Sequence, residues 1–579
     1  MKSSYKYVKF CLIFLITMLI LFLSGCSDSA VVVSNQSGSP TYPIASEVFT
    51  TRQRVIVPDS VPSGTNTVYP WEPSKFKENG YGTWHYESGI DYGKQTNIMP
   101  AGYNGASVTN TAQLLNFFTI TDIHITDKES PAQLLYLAQK DFSVVKDPAI
   151  YSPIMLYTTH VLDAAIQTIN ALHKQKAFDC GLSLGDTAND SQYNELRWYI
   201  DVIDGETISP SSGAHAGADT IEYQKPYKAA GLDKTIPWYQ TIGNHDHFWL
   251  YAPGNTYLQQ AYTSSNLLQL GDYLLDPVNA INERTYYMGT IDGSTPYGTI
   301  IGGGPVSTTP AITIVADPNR RSLSSGRASW MSEFFTTSSN PAGHGYSQTN
   351  VANDFACYSF EPESNIPLKV IMLDDTQNEK DVNVQGNAHG SLDQPRYDWL
   401  VSELDKGQAE GKLMLIAAHV PIGVEPAGSP LGWSQDAYVT EAQLIARLQT
   451  YPNLIMWISG HRHYNQVTPF QSPDPGRPEL GFWEVETASL KDFPQEFRTF
   501  QIVRNSDNTI SIIITDVDPA VRDGSPASIS RSYGVAAQQI YQTTLLPSNP
   551  SHTYNAELIK QLSPEMQAKI QNYGTPINR

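Results

Sequence analysis

The chain has 579 residues, of which 40% are hydrophobic and 16% are charged, a composition that fits a globular protein with a sizeable core and a length that permits two to four domains. Its formal net charge of −20 at pH 7 repels nucleic acid and anionic lipid surfaces, which are therefore excluded as expected partners. No internal repeat and no heptad pattern occurs, which excludes solenoid and coiled-coil architectures.

The first 25 residues have the pattern of a secretory signal peptide. Three lysines precede an apolar run from Cys11 to Leu23, which ends in Leu23-Ser-Gly-Cys26. This ending resembles the lipobox of bacterial lipoproteins, which implies cleavage before Cys26, lipidation of that cysteine and an extracytoplasmic location at the bacterial cell envelope. The alternative is an uncleaved membrane helix, but the apolar run is short for a span of about 20 residues. Cleavage would change the net charge to −23, because residues 1–25 carry three lysines and no acid.

Short apolar runs of the buried-strand type alternate with helical patterns along the chain, and this alternation predicts an α/β fold. The predicted strands are Leu114–Ile120, Gly181–Leu184, Trp238–Ile242, Lys369–Leu373, Lys412–Ala418, Leu454–Ile458, Gly481–Glu486, Phe500–Val503 and Thr509–Thr515. The clearest predicted helices follow Ser152-Pro153 and Asp393-Gln-Pro395, and a third begins at Thr440, with Gln443 completing a capping box.

One large region interrupts this rhythm. Residues 251–353 are rich in Gly, Ser, Thr, Tyr and Pro and are predicted to form a large insert with some short strands near the mouth of the site. The segment Asn555 to Gln571 has helical spacing, which Ser563-Pro564 divides into two short docking helices. The predicted organisation is a signal peptide (1–25), a tether and N-terminal extension (26–110), a catalytic domain (111–518) and a C-terminal extension (519–579).

Five polar clusters each stand where an apolar run ends: Asp122-Ile-His124, Gly185-Asp186, Gly243-Asn-His-Asp246, His419 and Gly460-His-Arg-His463. Any one of them alone would be an ordinary turn, helix cap or core histidine. In an open α/β sheet, however, the carboxyl ends of the strands gather at one edge, where ligands bind. The seven candidate metal ligands are Asp122, His124, Asp186, Asn244, His419, His461 and His463.

These residue types point to a two-metal hydrolase. Carboxylate and imidazole together suit Fe, Mn or Zn, and the two oxygens of Asp186 can bridge two such ions. Two cations about 3.5–4 Å apart clamp a phosphate ester and lower the pKa of a bridging water towards ~7. The predicted reaction is therefore hydrolysis of a small phosphomonoester or phosphodiester by a hydroxide that bridges two divalent or trivalent metal ions.

The ordered set of clusters resembles the calcineurin-like metallophosphoesterase superfamily over residues 114–463. The resemblance implies a four-layer αββα sandwich of two mixed β-sheets flanked by helices. It also implies a first metal held by Asp122, His124, Asp186 and His463, and a second held by Asp186, Asn244, His419 and His461. His245 would lie over the substrate, where it stabilises the phosphoryl oxygens or protonates the leaving group.

Four neighbours of the ligands are candidates for a supporting role: Asp246, Asn189, Asp190 and Arg462. Asn189 departs from two branches of the superfamily. Purple acid phosphatases have a metal-binding tyrosine at this place, and phosphoprotein phosphatases usually have an aspartate that orients the catalytic histidine. The asparagine at this place argues against membership of the purple acid branch. It also means that Asp190 or Asp246 would have to orient His245 instead.

Two other functions stay open. A nucleotidase or cyclic-nucleotide phosphodiesterase would need an aromatic clamp for the base, which the Tyr-rich insert could supply. A surface binding protein would use its metals only structurally. Cys180 and Cys357 could pair in an oxidising compartment or remain buried thiols. The membrane is expected as a partner only through the N-terminal lipid.

Overall fold

The computed structural model describes residues 44, 47–65, 67–142, 148, 150–247, 256–323, 326–376, 389–426, 429, 431–435, 437–542 and 553–577. The predicted signal peptide, Cys26 and most of the predicted tether lie outside these residues. No helix among the described residues has the length and apolar content needed to cross a membrane. All of the described residues belong to one unit, Pro40–Arg579.

The described residues contain twenty-three strands: β1 (Arg54–Pro58), β2 (Trp84–Ser88), β3 (Gly93–Gln95), β4 (Asn110–Ile120), β5 (Cys180–Ser183), β6 (Thr207–Ile208), β7 (Tyr227–Lys228), β8 (Trp238–Gln240), β9 (Gln269–Leu270), β10 (Tyr286–Tyr287), β11 (Thr290–Asp292), β12 (Thr299–Ile301), β13 (Gly304–Pro305), β14 (Tyr358–Phe360), β15 (Leu368–Met372), β16 (Leu413–Ala417), β17 (Leu454–Ser459), β18 (Gln466–Phe470), β19 (Phe482–Glu486), β20 (Phe497–Asn505), β21 (Ile510–Val517), β22 (Asn555–Lys560) and β23 (Thr575–Pro576).

The same residues contain twelve α-helices: α1 (Leu135–Lys140), α2 (Thr158–Gln175), α3 (Tyr193–Asp204), α4 (Asn244–His247), α5 (Thr256–Thr263), α6 (Pro277–Glu283), α7 (Arg327–Glu333), α8 (Gln348–Ala352), α9 (Gln394–Ala409), α10 (Glu441–Leu448), α11 (Pro526–Tyr541) and α12 (Pro564–Ile570). The fold is therefore mixed α/β, as the alternation of sequence patterns predicted.

The larger sheet has eight strands in the order β3-β22-β21-β20-β4-β5-β8, with β23 beside β4. Strands β4, β5 and β8 run parallel, with Phe117 opposite Cys180 and Gly181 opposite Trp238. Because they are parallel, these three strands end at the same edge of the sheet. Five of the nine predicted strands, those around residues 114–120, 181–184, 238–242, 500–503 and 509–515, lie in this sheet.

The smaller sheet has the order β14-β15-β16-β17-β19-β18, and its four middle strands are parallel. Alternate residues of these strands enter two different apolar clusters. Val370 and Leu415 share a core cluster with residues of the larger sheet such as Phe500, whereas Ile371 and Ile416 pack in a second cluster with helices α9 and α10. Burial on both faces explains why the four remaining predicted strands read as continuous apolar runs.

The predicted helix signals are confirmed. Ser152 caps a short 3₁₀ turn that leads into α2, Asp393 accepts the N–H of Arg396 at the start of α9, and Thr440 forms a capping box with Gln443 at the start of α10. Each side-chain oxygen satisfies an N–H that the first turn would otherwise leave without a partner. Cys180 and Cys357 are both buried free thiols, so they do not pair.

The C-terminal segment differs from its prediction. Asn555–Lys560 is not a helix but strand β22, which pairs with β21 and β3 inside the larger sheet, and only Pro564–Ile570 is helical. Over six residues, apolar spacing does not distinguish a period of 2 from one of 3.6. Pairing with two neighbouring strands decides in favour of the strand, so this part of the C-terminal extension belongs to the main sheet.

The described part of the predicted insert, residues 256–323 and 326–353, has the expected short strands β9 to β13 and also four helices. Its second half is not peripheral, because Trp330 and Phe334 are fully buried in the core cluster that both large sheets share. The insert also contacts the loops that follow β4 and β5, since the Tyr262 hydroxyl donates to the carbonyl of Asp190 and the Arg320 guanidinium donates to Asp127. The insert therefore supports the edge at which the strands end.

Candidate metal centre

The candidate ligands follow the carboxyl ends of parallel strands in both sheets. Asp122 and His124 come after β4, Asp186 after β5, and Asn244 after β8 of the larger sheet. His419 comes after β16 of the smaller sheet, and the pair His461 and His463 after β17. His419 joins the two edges, because its Nδ1 lies 2.8 Å from the carbonyl oxygen of Leu184 beyond β5. Two strand edges thus meet at one place and bring all seven side chains together.

The backbone around these side chains is unusual. Asp122, His124, Asp186, His461 and His463 have positive φ angles of 50°, 46°, 51°, 76° and 64°. Positive φ is uncommon outside glycine and costs about 1–3 kcal/mol at each residue. Asp122 and His124 both lie beyond the end of β4, in the left-handed conformation. Five such residues at one site indicate that the loops are shaped for the site and not for local stability.

The side chains form three overlapping groups, in each of which the potential ligand atoms lie within 4.8 Å of one another. The groups are Asp122 with His124 and His463, Asp186 with His124 and His245, and Asp186 with His419 and His461. A single oxygen, Asp186 Oδ2, lies 3.2 Å from His419 Nε2 and 3.6 Å from His124 Nε2. Asn244 joins the third group through its Oδ1, which is 3.1 Å from His419 Nε2.

Within these groups, two pairs of histidine ring nitrogens also lie close to each other. His124 Nε2 lies 3.3 Å from His463 Nε2, and His419 Nε2 lies 3.3 Å from His461 Nδ1. Two neutral ring nitrogens that both present a lone pair repel each other unless a proton or a cation lies between them. Asp122 adds a buried Oδ1 that accepts no hydrogen bond, whereas its Oδ2 accepts from Thr121 and from the N–H of His461. This donor set fits two cations.

Two glycines allow the carboxylates to lie this deep. A Cβ atom at Gly243 would clash with Asp186 Oδ1, and a Cβ at Gly460 would clash with Asp122 Oδ2 and with the hydroxyl of Thr121. The Gly in each of these clusters is therefore required by close approach. Any larger residue would push a candidate ligand out of its position.

The electrostatics of the site call for positive charge. Burial alone would lower the pKa of His419, but Asp186 and Asp122 outweigh burial and raise it to about 10. Burial is likewise outweighed at His463, where Asp122 and Asp492 raise the pKa to about 10. Burial raises the pKa of Asp186, yet His419 and His245 hold it well below its usual range. Cations must displace protons from His419 and His463, so metal affinity rises with pH.

Two carboxylates that the sequence analysis missed orient the histidines. The Asp492 carboxylate lies 2.6 Å from His463 Nδ1, which leaves Nε2 to face the site. The Asp375 carboxylate accepts the backbone N–H groups of His419 and Val420 at 3.1 Å. The carboxylates of Asp375 and its neighbour Asp374 are both fully buried. Asp375 could have been found by the same rule as the ligands, since it follows the end of β15.

Replacement of Asp492 by Asn is expected to weaken metal binding. An amide cannot hold His463 Nδ1–H as strongly as a carboxylate does, and loss of such an outer partner typically costs about 10–100-fold in metal affinity. Competition with a chelator, followed by metal analysis, measures this change. Asp393→Asn, which alters a carboxylate at a helix cap, should leave the affinity unchanged; an equal loss in both variants would contradict the role of Asp492.

His245 is tied into the site by its main chain and by its ring. Its N–H donates to Asp186 Oδ1 at 2.8 Å, and its Nδ1 lies 2.7 Å from the carbonyl oxygen of Asn189. The Ser191 hydroxyl donates to the carbonyl of His245. Because a carbonyl only accepts, Nδ1 carries a proton and Nε2 is the nitrogen left for a substrate. His245 and His463 are the more exposed members of the three groups, so a substrate would approach from their side.

The four predicted supporting residues have different surroundings. Asp246 accepts from the N–H groups of Thr187 and Gly243 and so holds the turns that carry Asp186 and Asn244. Asp190 is fully buried, and burial raises its pKa to about 7. Among the described contacts, the ring of His245 bonds to neither of them but to the main chain of Asn189. Arg462 bonds to Glu486 and Glu425, which joins β19 to the loop after β16.

A short loop after β19, residues 489–492, holds several of these parts at once. The Ser489 hydroxyl donates to the carbonyl of Asp122, and the N–H of Lys491 donates to the same oxygen. The Lys491 ammonium donates to Asn189 Oδ1 at 3.1 Å. Asp492 of the same loop contacts His463. The 489–492 loop therefore contacts Asp122 of the first cluster, His463 of the fifth cluster, and Asn189, whose carbonyl holds the ring of His245.

No protein-family model matches the chain, and no curated protein matches it. Among solved structures, the crystal structure of a dimetal phosphatase from Danio rerio is similar, with a TM-score of 0.36 and 11% sequence identity over 70% of this chain and 97% of that one. A likeness this distant carries no argument about this chain.

Proposed function

We propose that this protein is a metal-dependent phosphoester hydrolase. The observation that carries the proposal is that Asp186 belongs to two Asp/His groups at once, with one oxygen facing His124 on one side and His419 on the other. In the proposal, Asp122, His124, Asp186 and His463 hold the first cation, and Asp186, Asn244, His419 and His461 hold the second. When bound, two such cations supply Lewis acidity and an activated water for attack on a phosphate ester.

His245 gives the chain its own part in the chemistry. Its Nε2 is free of the Asn189 carbonyl and lies on the exposed side of the site, where it can stabilise the phosphoryl oxygens or pass a proton to the leaving oxygen. Hydrogen bonds fix the directions of two carboxylates. Asp122 Oδ2 accepts from the Thr121 hydroxyl and the N–H of His461, and Asp186 Oδ1 accepts from the N–H of His245. The chain thus orients its donors before any substrate binds.

The proposal includes the architecture and the location. The two large sheets form the middle layers of a four-layer sandwich, with helices such as α2 and α3 outside one sheet and α9 and α10 outside the other; the core cluster that both sheets share supports this arrangement. The sequence pattern that ends at Cys26 supports a lipid-anchored protein of the bacterial envelope. The substrate is a small phosphomonoester or phosphodiester.

The test is turnover by the purified protein loaded with Mn, Fe or Zn. We expect hydrolysis of p-nitrophenyl phosphate or of bis(p-nitrophenyl) phosphate that a chelator abolishes and metal restores. His245→Asn should lower the rate by about 10²–10⁴-fold, the usual contribution of a positioned acid or base, and should keep both metals. If the fully metallated protein hydrolyses neither ester, the proposed function is wrong. The metals would then have a structural role only, as in a surface binding protein.

A further inference from the structure

Lys491 is a buried lysine that is no candidate ligand. Its residue is only 1% exposed, so the ammonium does not extend into solvent. Its Nζ donates to the side-chain oxygen of Asn189 at 3.1 Å. Its N–H donates to the carbonyl of Asp122 at 3.3 Å. One residue of the 489–492 loop therefore joins the turn after β4 to the turn after β5.

Asn189 in turn fixes the ring of His245. Its carbonyl lies 2.7 Å from His245 Nδ1, and its own N–H donates to the carbonyl of Ile125 at 3.0 Å. The N–H and the carbonyl of Asn189 are thus both hydrogen-bonded, and the bond from Lys491 to its side chain is a third hydrogen bond that holds this residue. Two residues further on, Ser191 has a φ of 55° and donates its hydroxyl to the carbonyl of His245. The direction of the Asn189 carbonyl depends on how firmly this strained turn is held.

The bond from Lys491 is the strongest of these attachments on physical grounds. A hydrogen bond from an ammonium group is about twice as strong as one between neutral groups, and it is stronger still where water is excluded. The carbonyl that orients His245 is neutral, so it lacks the attraction that a carboxylate would exert on the ring. Orientation must therefore come from the rigidity of Asn189, which a buried charge-assisted bond supplies.

We propose that Lys491 is a positioning residue for His245, acting through the side chain of Asn189, and that hydrolysis of esters with poor leaving groups depends on it. The inference rests on the proposed function. In the step concerned, the oxygen of the attacking water bonds to phosphorus as the bond between phosphorus and the leaving oxygen breaks. His245 enters the step with a proton on each ring nitrogen, gives the Nε2 proton to the leaving oxygen and keeps the Nδ1 proton on the Asn189 carbonyl. The proton released by the attacking water then restores Nε2–H. Lys491 itself touches neither substrate nor reacting atoms.

The experiment compares two esters of the phosphate type that the wild-type protein hydrolyses. A p-nitrophenyl ester releases a stable anion, whereas an alkyl ester needs a proton on its leaving oxygen. Lys491→Met keeps the aliphatic stem and removes the ammonium. We expect kcat on the alkyl ester to fall by about 10²-fold and kcat on the p-nitrophenyl ester by less than about fivefold, with KM and metal content unchanged. Lys491→Arg, which keeps the charge and the donors, should recover most of the loss.

Three further variants separate positioning from a general structural effect. Lys369→Met removes another buried lysine, which bonds to Glu403 near the opposite end of β15 from Asp375, and should change both esters equally or not at all. Asn189→Ala removes the same contact from its other side and should reproduce the pattern of Lys491→Met, including when Lys491→Met does not fold. Adding Lys491→Met to His245→Asn should cause no further loss, because both act in one step.

Two outcomes overturn the proposal and are distinguishable. If the wild-type protein hydrolyses esters but Lys491→Met and Asn189→Ala slow both esters equally, Lys491 is structural and the proposed function survives. If the metal-loaded wild-type protein hydrolyses neither ester, the proposed function fails and this inference fails with it.

Discussion

Replacement of Asp186 by Asn is expected to abolish activity and to reduce the bound metal from two ions per chain to at most one. Asn keeps an oxygen that can accept the N–H of His245, as Asp186 Oδ1 does at 2.8 Å. It loses the negative charge and places an amide N–H₂ opposite His419 and His124, where Asp186 Oδ2 now lies. Loss of a bridging carboxylate removes several kcal/mol of charge stabilisation, so the rate should fall by at least about 10³-fold.

Metal analysis and a turnover assay on the same sample measure both effects. Asp163→Asn is the matched control, because Asp163 is also fully buried, accepts the N–H of Ala230 at 2.7 Å, and has a pKa that burial raises to about 6. This control should keep both metals and full activity. Two metals and full turnover in Asp186→Asn would show that Asp186 does not join the groups.

The nine strands and the seven converging side chains could be predicted from the sequence because both depend on local patterns. A strand buried on both faces, such as β16, leaves a continuous apolar run, and the polar residue that follows it stands at the sheet edge whatever the rest of the chain does. His419 after β16 and Asp186 after β5 are found in this way. Neither prediction requires knowledge of which segments meet.

What could not be predicted depends on contacts between distant segments. β22 is a strand because β21 and β3 lie on either side of it, and six residues of spacing do not contain that information. Lys491 is about 300 residues from Asn189 along the chain, and nothing in the composition of either neighbourhood pairs them. Asn189 illustrates the limit most clearly: the sequence identified the missing carboxylate, but only the structure places its backbone carbonyl on the ring of His245.

Replacement of Asp374 by Ala is expected to cause the largest loss of stability at a residue outside the candidate ligands. The Asp374 carboxylate is fully buried between the guanidinium groups of Arg327 and Arg396, and its other oxygen accepts the hydroxyl of Thr376. Burial would raise the pKa of Asp374, but the two arginines outweigh it and hold it well below its usual range. Removing the carboxylate takes the shared counter-charge away from two buried guanidinium groups, although Arg396 keeps its contact with Asp393, and breaking a buried ion pair in this way costs about 3–5 kcal/mol.

The pH dependence of this contribution has a definite sign. The pKa of Asp374 is depressed in the folded state, so its stabilisation is fully present above the unfolded pKa of about 4 and is lost only as the pH falls through the folded value. The difference between Asp374→Ala and the wild-type protein, followed by urea unfolding, should therefore be constant from neutral pH down to about pH 5 and shrink in stronger acid. A difference that grows on acidification would contradict the ion-pair account.

Two companion variants decide whether unpaired charge is the cause. Asp393→Ala removes the other carboxylate that contacts Arg396, but Asp393 is partly exposed and acts mainly as the N-cap of α9, so the expected cost is about 0.5–2 kcal/mol. The triple variant Asp374→Leu, Arg327→Met, Arg396→Met removes all three charges together. Because apolar replacement of a whole buried ion network is often neutral, it should be more stable than Asp374→Ala. Arg327 begins α7 of the insert, and Asp374 follows β15, so their ion pair connects these two elements. If the triple variant were as unstable as Asp374→Ala, the shape of these side chains, and not the balance of their charges, would be what stabilises the contact.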